Sequence, residues 1–129
     1  MSAERDAILS AQYVALTTYR RDGTPVTTPV WAAAEGTSLY LFSNAAAGKV
    51  KRLRNSSRAA IAPCTAIGKV TGAQLPAEAF NLASDQMPKV WKLLTKKYGM
   101  AVRLFMAYDR ARALLRMQPS AGIEVRLTP

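Results

Sequence analysis

Gln12-Tyr13-Val14-Ala15-Leu16-Thr17-Thr18-Tyr19-Arg20-Arg21-Asp22-Gly23-Thr24-Pro25-Val26 is the stretch on which the fold turns. Residues 12–19 are rich in Tyr, Val, Leu and Thr, whose branched or aromatic side chains suit a pleated, half-buried surface. Asp22-Gly23 then supplies a pair that tolerates the positive φ of a tight hairpin turn. Thr24–Ala34 is therefore expected to return antiparallel. Pro25 and Pro29 have no N–H to give a ladder, so the return strand should lie at an edge or be interrupted around Pro29-Val30-Trp31.

The same pattern continues on both sides of the hairpin. A mixed-charge segment over residues 4–11 predicts a helical turn or two before it. Thr37–Ser43, Arg58–Cys64, Lys69–Leu82 (bent at Gly72 and Pro76), Arg112–Met117 and Gly122–Leu127 read as further strands. About six short strands at hairpin spacing suggest a small barrel. The period changes after Ser84, a good N-cap, and Asp85, which suits a first helical turn. Met87, Val90, Trp91, Leu94 and Tyr98 form one helical stripe, Gly99 stops it, and Met100–Asp109 predicts a second helical piece. The expectation is one mainly β domain over residues 1–129 with a helical insert at about 84–109. Trp91 is expected to pack on a core or subunit surface, and Cys64 to be a buried strand-end residue.

Function is concentrated in Ser43-Asn44-Ala45-Ala46-Ala47-Gly48-Lys49-Val50-Lys51-Arg52-Leu53-Arg54-Asn55. A strand, a small-residue turn and a short basic helix form an anion cradle, since backbone N–H groups and side-chain cations can hold one phosphate. At helical spacing Val50 and Leu53 pin the segment, Lys49 and Arg52 flank them on one side, and Lys51 and Arg54 on the other.

Charge supports that reading. The chain of 129 residues carries a net charge of +10, and no acid occurs between Glu35 and Glu78. Lys49, Lys51, Arg52, Arg54, Arg58 and Lys69 fall in that interval, and Lys89, Lys92, Lys96, Lys97 and Arg103 between Asp85 and Asp109. Such single-sign fields attract anions. With no histidine and a single cysteine, Ser-His or Cys-His machinery, His-containing metal sites and an internal disulfide are excluded. Any chemistry is then expected to come from a bound cofactor, with the protein supplying binding and orientation. No apolar run reaches membrane-spanning length, and the charged N-terminus lacks a signal-peptide core, so a cytoplasmic location is expected. The basic stripe at Lys49–Arg58 contains no aromatic residue, which argues against nucleic acid as its partner.

Residues Tyr13–Val26, Thr28-Pro29-Val30-Trp31, Gly48–Asn55, Ala62-Pro63-Cys64 and Leu93–Gly99 together resemble the flavin/deazaflavin oxidoreductases, split-barrel relatives of pyridoxamine-phosphate oxidase, and among them the F420-dependent branch. The resemblance implies a six-stranded split β-barrel, a homodimer, and a cofactor groove at the subunit interface. It implies that Thr28, Pro29, Val30 and Trp31 lie along a flavin-like ring, that Ser43, Gly48, Lys49, Val50, Lys51 and Arg52 hold the phosphate end, and that Pro63 lies close to the ring. Arg54 and the second basic cluster would attract the carboxylate tail of coenzyme F420. The implied activity is hydride transfer between the deazaflavin and a small organic substrate. FMN as the cofactor and cofactor binding without turnover are the alternatives.

Overall fold

A computed structural model of the chain describes residues 3–44, 48–114 and 120–127. Helix α1 (Ala3–Ser10) leads into strands β1 (Tyr13–Tyr19), β2 (Pro25–Val30), β3 (Ala33–Glu35) and β4 (Ser38–Asn44). Helix α2 (Gly48–Asn55), strands β5 (Arg58–Cys64) and β6 (Leu75–Asn81), helices α3 (Met87–Tyr98) and α4 (Met100–Leu114) and strand β7 (Ser120–Leu127) complete it.

The hairpin forms as its residues require. Gly23 has φ 90°, Gly23 N donates to Arg20 O at 2.8 Å, and Thr24 N donates to Asp22 Oδ1 at 2.9 Å. All strands join one antiparallel sheet in the order β2-β1-β5-β6-β7-β4-β3. The two edges, β2 and β3, are consecutive in the chain and are separated only by Trp31 and Ala32. Three peptide steps reach at most about 11 Å. The sheet must therefore curl until the end of β2 meets the start of β3, which makes it a curled half-barrel of the split-barrel kind. The prolines of β2 sit on an edge strand, where a missing N–H costs no ladder bond.

Side chains alternate across this curled sheet. Leu39 and Leu41 point inward with Val14, Leu16, Ile61, Ile123 and Val125. Tyr40 and Phe42 point outward, against Val90, Leu94, Trp91 and Val102 of the two long helices. Helix α1 closes one end of the barrel with Ile8, and α2 closes the other with Val50 and Leu53. Each of those last two burials is worth roughly 1.5–3 kcal/mol.

Five expectations are corrected. The sheet has seven strands among the described residues, because the return strand Thr24–Ala34 breaks at Trp31-Ala32. There the backbone bonds to Tyr98 and Lys97 instead of to a ladder. Lys69–Leu82 is strand only from Leu75. The segment before it turns at Gly68 (φ 90°) and touches the sheet through one isolated bridge, Cys64 with Val70. Arg112 belongs to α4, which runs on to Leu114 where a strand was expected, while residues 115–119 lie outside the described residues. Ser84 opens a short 3-10 turn, and α3 itself starts after Gln86 with Pro88 in its first turn. The helical region is correspondingly longer than 84–109. Gly99 does terminate α3, at φ 69°.

Candidate functional site

Helix α2 sits over the barrel end through its two apolar residues, and Asn81 Nδ2 fixes its backbone by donating to Val50 O at 3.0 Å. Seating the helix this way half-buries Lys49 and Arg52 and leaves Lys51 and Arg54 in solvent. Arg52 reaches into the barrel and donates from Nε to Thr18 Oγ1 at 2.7 Å. Its guanidinium also folds back over the first turn of the helix. A Cβ at Gly48 would stand 2.7 Å from one of its terminal nitrogens, so the glycine makes room for the arginine. Burial, and secondarily the Arg52 charge, push the Lys49 ammonium below its ordinary pKa. Two cations thus crowd a helix N-terminus, itself partly positive, and neither is ion-paired among the described residues.

Beside Arg52 opens a cleft of about 660 Å³. Lys51 and Arg52 form one wall, and Arg20 and Arg21 of the β1–β2 turn form the other. Arg58 enters from the start of β5, its guanidinium 3.8 Å from the centre of the Tyr19 ring. Among the described residues no acidic side chain lines this space. The sequence reading named Lys51 and Arg52 for the site and missed Arg20, Arg21 and Arg58. Their signal was the Arg-Arg pair ahead of the turn glycine and a strand that opens on a cation. The cleft also gains an aromatic, Tyr19, from thirty residues away in the chain, though Arg58 covers one face of it.

The other expected residues fall on β2 (Thr28, Pro29 and Val30), just after it (Trp31), on β4 (Ser43) and on β5 (Pro63). Paired residues share a face in an antiparallel sheet. The rows Val26–Thr18–Ala59, Thr28–Leu16–Ile61 and Val30–Val14–Pro63 therefore all face inward, on the side that Arg52 reaches. Pro29 pairs with Ala15 on the opposite face, near Gly68. The row of Val30 and Pro63 lies roughly 13 Å from that of Thr18, at four strand steps. Ser43, buried on β4, shares the inward side with Leu41. Trp31 does not face the basic cleft. It stacks on Tyr98 of α3 (ring centres 4.9 Å apart, planes at 10°) with Tyr13 tilted against it. The second basic cluster is divided. Lys89 pairs with Glu35 at 2.9 Å, and Lys97 donates to Ala11 O and Ala32 O at 2.7 and 2.6 Å. Lys92, Lys96 and Arg103 stay in solvent.

The sequence profile described as pyridoxamine 5'-phosphate oxidase matches residues 1–126. The chain belongs to that family. Several proteins of known structure share its fold at low identity. An F420 reductase superposes with a TM-score of 0.62 at 17% identity, covering 100% of this chain and 96% of its own. A FAD-binding protein from Mesorhizobium loti gives 0.64 at 17%, with 100% and 91% covered. HutZ, the heme storage protein of Vibrio cholerae, gives 0.68 at 10%, with 97% and 87% covered. No curated protein matches the chain. The fold is therefore shared by proteins whose names give different bound groups.

Among the described residues no cluster of three or more Cys, Asp and Glu side chains is placed to hold a metal ion. No helix there is long and apolar enough to cross a membrane.

Proposed function

We propose that this chain is a coenzyme F420-dependent oxidoreductase, acting as a cytoplasmic homodimer on a small organic substrate. The observation that carries the reading is the pair of half-buried cations at the start of α2, Lys49 and the folded-back guanidinium of Arg52, with no acid among the described residues to balance them. Buried charges are kept in proteins when something pairs with them, and a phosphate is the anion that a helix start and a guanidinium hold best. The donor set fits a phosphate-bearing cofactor, as does the space that Gly48 leaves for Arg52.

In this reading Arg52, Lys49 and Lys51 hold the phosphate, with Gly48 and Val50 supplying backbone at the helix start and Ser43 beside it. Thr28, Pro29, Val30 and Trp31 line the ring through the backbone of the edge strand, whose unpaired side faces the seam, and Pro63 stands at the ring end. The roughly 13 Å between the Thr18 and Val30 rows suits an elongated cofactor. Arg20, Arg21, Arg54 and Arg58 extend the field toward the carboxylate tail. The bound deazaflavin supplies the hydride chemistry. The chain binds it, orients it and keeps water from it with an apolar barrel face.

Titration at low salt separates the readings. Quenching of deazaflavin fluorescence with no response to FMN, followed by turnover of an acceptor, supports the proposal. Binding of FMN alone would replace it with an FMN enzyme, and binding of the deazaflavin without turnover of any acceptor, with a cofactor carrier.

A further inference from the structure

A second concave surface lies on the other side of the sheet, between α3 and α4. It measures about 630 Å³, within the roughly 300–1,000 Å³ of small-molecule sites. It continues into a smaller hollow of about 340 Å³ that shares Thr95, Met106 and Arg110 with it. Its floor is Pro88, Trp91, Thr95 and Met106. Its rim is cationic: Lys92 and Lys96 on α3, Arg110 on α4, and Arg103 at the adjoining hollow. Among the described residues no acid lines either part. Lys89 and Lys97, from the same helix, are taken up by Glu35 and by backbone carbonyls. Among the described residues the four rim cations have no such partner.

An apolar floor under a cationic rim selects an amphipathic anion. The long stems of Lys and Arg can lie over an apolar body while their heads meet its charge. A polycarboxylate would leave the Trp91–Met106 floor uncovered, and a neutral apolar molecule would leave the rim unbalanced. A second copy docked symmetrically at this groove would set the same rim cations face to face. We infer that the α3–α4 groove binds a free long-chain carboxylate, its chain along Trp91 and Met106 and its head between Lys96 and Arg110. This site is separate from the cleft at α2, and the inference does not depend on the function proposed for that cleft.

The test uses dodecanoate below its micelle threshold. The chain has two tryptophans, and Trp31 lies on Tyr98, outside the groove. In the Trp31→Phe protein, emission therefore reports on Trp91 alone. Calorimetry on the unsubstituted chain measures the same binding independently. Saturable binding with a change in Trp91 emission is expected, weakened about five- to tenfold by Lys96→Ala or Arg110→Ala and unchanged by Lys51→Ala. Dodecanol and acetate should each bind at least tenfold more weakly. The inference is overturned by no binding in calorimetry, by equal affinity for dodecanol, or by binding to anionic lipid vesicles without binding of the free acid. It is also overturned if Trp91 emission follows protein concentration without ligand, which would mean that a second copy covers the groove.

Discussion

Arg52 Nε and Thr18 Oγ1 lie 2.7 Å apart, and this contact ties the helix that carries the basic residues to the strand that forms the barrel wall. Thr18 is buried, so the bond is sheltered from water and fixes where the guanidinium points. Thr18→Val keeps the shape and removes the acceptor. The charge of Arg52 survives but its aim does not. Cofactor affinity should fall about three- to tenfold, while stability changes by about 1 kcal/mol or less. Denaturant titration beside a binding isotherm reads both, and an unaltered affinity would show that the contact is only structural.

Gly48→Ala tests the same placement from the other side. The added Cβ would meet the end of a flexible side chain rather than backbone, so Arg52 can swing away. Alanine is also the better helix former, by up to about 1 kcal/mol in a helix interior. The variant should be at least as stable as the parent in thermal unfolding, yet bind the cofactor less tightly. Lower stability with unchanged affinity would contradict this.

Lys49 gives a pH-linked prediction. Its pKa is lowered in the folded protein, first by burial and then by Arg52. Between that lowered value and the ordinary value of 10.5, the unfolded chain holds the extra proton. Stability therefore rises with pH across this window. Below it, the full cost of burying the charge is present. Lys49→Met should stabilise the cofactor-free protein at neutral pH, remove this alkaline gain and weaken cofactor binding. Chemical denaturation at neutral and alkaline pH checks the sign. A destabilised methionine variant at pH 7 would refute it.

The break between β2 and β3 was only half legible in the sequence. Pro25 and Pro29 announced an edge or an interruption, and both occur. What could not be read was that Tyr98 and Lys97, some sixty-five residues on, take the Ala32 backbone and end the strand. Strand β5 and helix α2 were legible to the residue, because period and turn signals are local. Arg20, Arg21 and Arg58 were not recognised as neighbours of α2, since only the rolled sheet brings a hairpin turn and a distant strand start together. Arg112–Met117 failed for the opposite reason. Leu and Met among arginines suit strand or helix equally, and α4 continues as helix through Leu114.

Tyr98→Phe probes the seam directly. The hydroxyl accepts from Ala32 N at 3.1 Å and faces the carbonyls of Gln12 and Ala32 at 2.6 and 2.9 Å. Its loss should cost about 1–3 kcal/mol, because the partly buried Ala32 amide is left without its partner, while the ring remains to stack on Trp31. Equilibrium unfolding in urea measures the difference. A change below about 0.5 kcal/mol would mean that Lys97 alone holds the link.

The account rests most heavily on an anionic cofactor held at the start of α2. The direct test is the dissociation constant of coenzyme F420, measured by calorimetry at low ionic strength for the unsubstituted chain and for Arg52→Met. Losing a charge-assisted contact worth about 1.5–3 kcal/mol predicts binding to the unsubstituted chain and at least tenfold weaker binding to a variant that remains folded. Equal affinity of the two proteins, or no binding to either, would contradict it.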